Sequence, residues 1–226
     1  MRLTLVIPDL IPTRSEGDLA DLYRDLHLPD LAFLLGRATR RSAPGASLEA
    51  WLCERFGVSG DPDLPIAALT LLADHGDPGT AFWMCADPVH LQAQQDRLVL
   101  FDADALAISR AEAEQLLHAL NEYFADTACT FLSLRPERWY ARLPAAIDIE
   151  TRALPDVAGR SINTHLPAGA QGAQLRKLMN EAQMLLHDHP VNRAREARGE
   201  PTINSVWVWG SGRRPGVDAR PYTHLW

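Results

Sequence analysis

The chain has 226 residues, 46% of them hydrophobic, and a formal net charge of −7. That apolar content excludes a disordered chain, and the length can bury one good core, or one core with a small insertion. The acidic balance excludes a broad basic surface for a nucleic-acid backbone, and no apolar run reaches the length of a membrane span.

Arg2–Pro8 is a short apolar run that reads as a buried strand, with Asp9 where that strand would end. Proline in the first turn and glycine near the end predict a helix over Pro29–Gly36. Pro44-Gly45-Ala46 is a turn. Ser47 follows it and opens a helix with Leu48, Trp51, Leu52 and Phe56 on one face. Ile66–Ala73 reads as a further apolar helix. Thr80–Cys85 and Arg97–Phe101 read as strands. Ser109-Arg-Ala-Glu112 is a capping box that opens a helix running to about Phe124. Cys129–Leu134 and Arg138–Leu143 are two more strands, so residues 77–165 form a candidate α+β insertion between residues 1–76 and 166–226. Gln174–His187 returns to helix, Pro190 begins a short helix that ends at Gly199, and Val206–Trp209 is a strand. The chain stops at Thr223–Trp226 without a capping element, as a piece of a longer protein would.

Several residues along this path could carry chemistry. A carboxylate at the end of a strand, as at Asp9, can hold a divalent cation or simply close a turn. Ser47 stands at a helix N-terminus, where free N–H groups and the helix dipole suit an oxyanion; it is a candidate phosphoryl acceptor or an ordinary cap. His187 and His189 flank Asp188 at a helix end, where a protonated imidazole is favourable, and metal ligation would need partners from elsewhere. Asn192, Arg193, Arg195 and Arg198 form a polar helix turn. Gly210-Ser-Gly212 followed by Arg213 and Arg214 can offer backbone N–H groups and guanidinium forks to a phosphate or carboxylate, or serve as a surface turn. Trp207 and Trp209 alternate with valine and share one face, which points to core packing. Cys53, Cys85 and Cys129 have neither metal-ligand spacing nor an even count, so free thiols in a reducing cytoplasm are expected.

Taken together, these residues resemble the archaeal-type cofactor-independent phosphoglycerate mutases of the alkaline phosphatase superfamily. The strand ending in Asp9 is similar to the family's metal-binding start. Pro44-Gly-Ala-Ser47-Leu-Glu-Ala-Trp-Leu52 is similar to its nucleophile motif. His189-Pro-Val-Asn192, Gly199, Asn204 and Gly210-Ser-Gly212 are similar to its His-Pro-x-Asn through Gly-x-Gly segment. The resemblance implies an α/β fold, an alkaline-phosphatase-like sheet-and-helix core interrupted by the α+β insertion. It implies glycolytic isomerase chemistry, in which a phosphate moves between the 3- and 2-positions of glycerate through a phosphoserine with two divalent metals, Mn²⁺ or Mg²⁺. Ser47 would then be the catalytic acceptor and Asp9 a metal ligand. Asn192, Asn204, Gly210, Gly212, Arg213 and Arg214 would hold a small phosphorylated or carboxylated metabolite.

The sequence also departs from that pattern. Ala46 separates Gly45 from Ser47, and Leu48 and Trp51 replace polar residues beside it. Phe82-Trp-Met-Cys-Ala86 lacks the family's arginine, and Phe101–Leu106 stands where an arginine-rich run belongs. The later Asp-x-x-x-His and Asp-His ligands do not occur before Trp226. These departures keep a second expectation alive: a catalytically inactive relative that binds a small molecule or regulates.

Overall fold

The computed structural model describes residues 4–7, 27–39, 47–60, 62–94, 97–217 and 221–224. The chain divides into two compact units, Met1–Leu48 and Glu49–Trp226.

In the first unit, helix α1 (Pro29–Arg37) begins with proline in its first turn and carries an acidic residue early and a basic one late, as its dipole favours. Its Phe33 and Leu34 are exposed. Of the strand expected over Arg2–Pro8, described residues 4–7 have no strand pairing, and Leu5, Val6 and Ile7 are exposed. An apolar run becomes a buried strand only when a neighbour pairs with it and its faces are covered, and no described residue of this unit supplies a partner strand. Asp9 lies outside the described residues.

In the second unit, helix α2 (Leu48–Arg55) opens at the border and α3 (Ile66–Ala73) follows. The buried side chain of α2 is Cys53, while Leu48 and Leu52 are exposed. The predicted stripe is therefore off, because hydrophobic spacing fixes the orientation of a two-turn helix only weakly. Strands β1 (Phe82–Gln94), β2 (Arg97–Phe101), β3 (Thr130–Arg135), β4 (Arg138–Leu143) and β5 (Ser205–Gly212) build one five-stranded sheet in which every pairing is antiparallel. β1 is the hub: it pairs with β4 over Phe82–Cys85, with β2 over His90–Gln94 and with β5 from Trp83 to Val89. It runs far past the expected end at Cys85. Pro88 falls in the gap between the β4 and β2 ladders, where a missing N–H costs least. β5, expected in the surrounding core, thus shares a sheet with β1, expected in the insertion.

Helix α4 (Arg110–Tyr123) is opened by the predicted capping box and buries Ala113, Leu116, Leu117 and Leu120 at helical spacing. One turn of helix, α5 (Leu154–Val157), leads to α6 (Gly172–His187) and α7 (Pro190–Ala197). α4 packs against β3, α6 against β5, and α3 against β1 and β5, giving the mixed α/β architecture expected. Trp139, Tyr140, Trp207 and Met84 are fully buried in the core between them. No helix among the described residues is long and apolar enough to cross a membrane.

Candidate functional site

The segment from His189 to Gly212 holds most of the predicted site residues, and the structure gives each a partner. His189 caps α7: its Nδ1 accepts the Val191 N–H at 3.2 Å, which requires a neutral ring, and burial pushes its pKa down. Asn192 is fully buried. Its amide donates to the carbonyls of Leu186 (2.7 Å) and Ile203 (2.9 Å) and accepts the Ile203 N–H (2.7 Å). One side chain thereby joins the end of α6, the start of α7 and the approach to β5. Asn204 does similar work on β1, where its amide accepts the Leu91 N–H at 2.8 Å and donates to the Leu91 carbonyl at 3.0 Å. It extends the β5 ladder beyond Ser205, the last paired residue. Arg195, whose place in a polar helix turn suggests a solvated face, is buried instead. It donates to Glu112 at 3.1 Å, to the Pro201 carbonyl at 2.7 Å and to the Leu106 carbonyl. Gly199 ends this helix at φ +73°.

Gly210 and Gly212 stand where β5 meets the start of α3. A Cβ on Gly210 would lie 2.8 Å from the Ile66 Cβ, and one on Gly212 would lie 2.6 Å from the Pro65 Cβ. Gly210 also has φ +64°. Glycine is needed here because the N-terminus of α3 comes this close. Gly210→Ala is expected to lower stability by about 2–3 kcal/mol from strain and clash together. Gly199→Ala, where nothing lies within 4 Å, should cost only the backbone term of about 1 kcal/mol. Urea unfolding of the two variants checks the difference.

Gly210-Ser-Gly212, expected as a turn after the strand, is instead the largely buried end of β5, and its backbone is not idle. The Gly210 N–H donates to Thr151 Oγ1 at 3.0 Å, and the Thr151 hydroxyl donates to Asp63 at 2.6 Å. The Ser211 N–H and Oγ–H reach the same carboxylate oxygen at 3.0 and 3.2 Å. The Leu64 N–H reaches the other oxygen at 3.1 Å. Burial pushes the Asp63 carboxyl up, while the bonds from Thr151, Ser211 and Leu64 pull it down; the net direction is upward. Beside it lies a cleft of about 200 Å³ lined by Ser59, Gly60, Pro65, Phe82, Ile147 and Arg213. Arg213 is exposed and donates to the Thr80 carbonyl, and Arg214 is exposed.

Ser47 is partly buried and immediately precedes α2, in the first unit. His187 is the exposed last residue of α6. The three cysteines are free and buried. Burial pushes the Cys129 thiol up to about 12, which leaves it inert near neutral pH. Two buried carboxylates escape a reading of the sequence. Asp74 accepts from Arg135 (2.8 Å), Arg138 (2.9 Å) and the Tyr140 hydroxyl (2.7 Å). Asp87 accepts from Trp209 Nε1 (2.7 Å) and the Trp139 N–H (3.3 Å). The available signal is weak: Asp87 sits inside an apolar run just before a proline, and Asp74 just after a helix. Among the described residues no group of three or more His, Cys, Asp or Glu side chains could hold a metal ion.

Residues 86–192 match the family model described as 2,3-bisphosphoglycerate-independent phosphoglycerate mutase. A probable mutase of that name from Geobacter sulfurreducens is 30% identical over 155 residues, covering 67% of this chain and 38% of its own length. A second, from Methanothermobacter thermautotrophicus, is 30% identical over 162 residues, covering 68% of this chain and 37% of its own. The chain thus spans well under half the length of these relatives. The solved structure of a cofactor-independent phosphoglycerate mutase from Thermoplasma acidophilum aligns at a TM-score of 0.50 and 16% identity, over 76% of this chain and 48% of that one. This likeness shows a shared fold.

Proposed function

This chain is a relative of the cofactor-independent phosphoglycerate mutases, and on that premise we propose that it is a divergent mutase-like protein that transfers a phosphoryl group on a small phosphorylated or carboxylated metabolite. The observation that carries this reading is the match over residues 86–192, reinforced by relatives of the same name at 30% identity. In this reading Ser47 accepts the phosphoryl group and Asp9 contributes to a metal site, while the exposed Arg213 and Arg214 offer guanidinium groups to an anionic metabolite. The reaction is an isomerisation in glycolysis, carried out in the cytoplasm. The division into a core of residues 1–76 and 166–226 and an insertion of residues 77–165 belongs to the same reading, with β5 tying the two.

Mn²⁺ or Mg²⁺ would neutralise phosphate charge and activate the serine. Among the described residues no group of ligands comes together that could hold such an ion, and Asp9 lies outside them. A second reading, that of an inactive relative serving as a binding or regulatory module, is favoured by the same observation and by the Gly210–Gly212 end of β5, whose Gly210 and Ser211 N–H groups are already bonded.

The decisive experiment is interconversion of 3- and 2-phosphoglycerate with Mn²⁺ present. Turnover that disappears in Ser47→Ala is the expected result; a folded wild-type protein without turnover overturns the catalytic reading. A melting temperature that rises with Mn²⁺, and no longer does so in Asp9→Ala, is expected alongside it.

A further inference from the structure

Four donors from three separate parts of the chain converge on Asp63: the Leu64 N–H, the Thr151 hydroxyl, and the N–H and hydroxyl of Ser211. All four are neutral. Asp74, in contrast, is held by Arg135 and Arg138. Backbone N–H groups and hydroxyls gathered around one carboxylate, without a cation, form the kind of arrangement that proteins use to hold free oxyanions. The Gly210 N–H adds to it indirectly: by donating to Thr151 Oγ1 it directs the Thr151 proton toward Asp63. The cleft opens beside this carboxylate, with Ser59, Gly60 and Arg213 in its lining.

We propose that the Gly210–Gly212 end of β5 is a carboxylate seat that the protein fills with its own Asp63, so that a carboxylate from solution occupies it only when that side chain leaves. The inference does not rest on phosphoryl transfer and holds for an active or an inactive protein. It makes Asp63 an internal competitor at the loop that the sequence singles out for anions. The net rise in the Asp63 pKa fits a carboxylate that is well bonded yet poorly hydrated.

Asp63→Gly empties the seat and leaves its donors in place. Formate, the smallest carboxylate, is the probe, with chloride at equal ionic strength as the control. The variant is expected to melt below the wild type. It should then regain about 5–10 °C when formate reaches a hundredfold excess over its dissociation constant. The wild type should show no formate response beyond that to chloride, and Asp63→Gly combined with Thr151→Val should respond less than Asp63→Gly alone. Equal responses of wild type and Asp63→Gly overturn the proposal. If Asp63→Gly does not fold in chloride, its refolding yield is the readout: recovery in formate supports the seat, and equal failure in both salts overturns it. Because none of these arms uses turnover, their outcome is independent of the mutase assay.

Discussion

Arg195→Ala is expected to destabilise the second unit by about 3–5 kcal/mol, a large share of the total stability of a typical domain. Arg195 is 1% exposed, and its guanidinium bonds the Pro201 and Leu106 carbonyls and Glu112. Its removal leaves two carbonyls without their donor and a cavity between α4 and α7. Lysine cannot repair this, because one ammonium does not reproduce a planar fork aimed at three acceptors. The neighbouring Arg198 provides the contrast. It pairs with Glu112 and Glu200 at 3.0 and 2.7 Å but is half exposed, so Arg198→Ala should cost far less than Arg195→Ala. Chemical unfolding of the two variants side by side decides the matter, and equal losses would show that Arg195 is not the keystone described.

A comparable effect is expected from pH at Asp87. Burial, the largest cause, pushes this carboxyl from an ordinary 3.8 up to about 7; the bonds from Trp209 and Trp139 and the Arg138 charge oppose it, and Asp74 adds to it. The folded protein therefore holds a proton at Asp87 between about pH 4 and pH 7 that the unfolded chain has already lost. Stability from this group is present at the acidic end, falls as pH rises through that window, and is gone above about pH 7. The gap is worth at most about 4 kcal/mol. The test is the difference in unfolding free energy between wild type and Asp87→Asn, measured from pH 4 to pH 8, because other titrating groups cancel. The variant should gain on the wild type as pH rises. Since Trp209 Nε1 donates to Asp87, indole fluorescence of the folded wild type should titrate near neutrality and that of the variant should not. A flat difference across the range would mean that Asp87 stays ionised.

The elements that the sequence reveals are those with local causes. The capping box at Ser109–Glu112, the proline starts of α1 and α7, and the left-handed Gly199 all act within a few residues, and the structure has them where they are expected. The β3–β4 hairpin is legible for the same reason, since only Pro136 and Glu137 lie between its strands. What resists reading depends on partners far along the chain. Tyr140 reaches Asp74 across 66 positions, Trp209 reaches Asp87 across 122, and Ser211 reaches Asp63 across 148. Gly210 and Gly212 are legible as a glycine loop after a strand, but that they lie inside β5 against the start of α3 is not. Arg195 shows the same limit: its spacing beside Arg193 and Arg198 suits a solvated face, and only the fold of α4 beside it brings Glu112 and the Leu106 carbonyl within reach. For the pair on which the catalytic reading leans, Ser47 lies beside α2 and Asp9 outside the described residues.

The position of β5 has a kinetic consequence. Its pairing with β1 closes a loop of more than a hundred residues, whereas β1 with β2 and β3 with β4 are neighbours in sequence. Closing long loops is entropically slow, so the two hairpins can zip first and β5 must arrive last. The end of β5, where Asp63 docks on Ser211, is then expected to assemble after the hairpins, so Ser211 meets its carboxylate late.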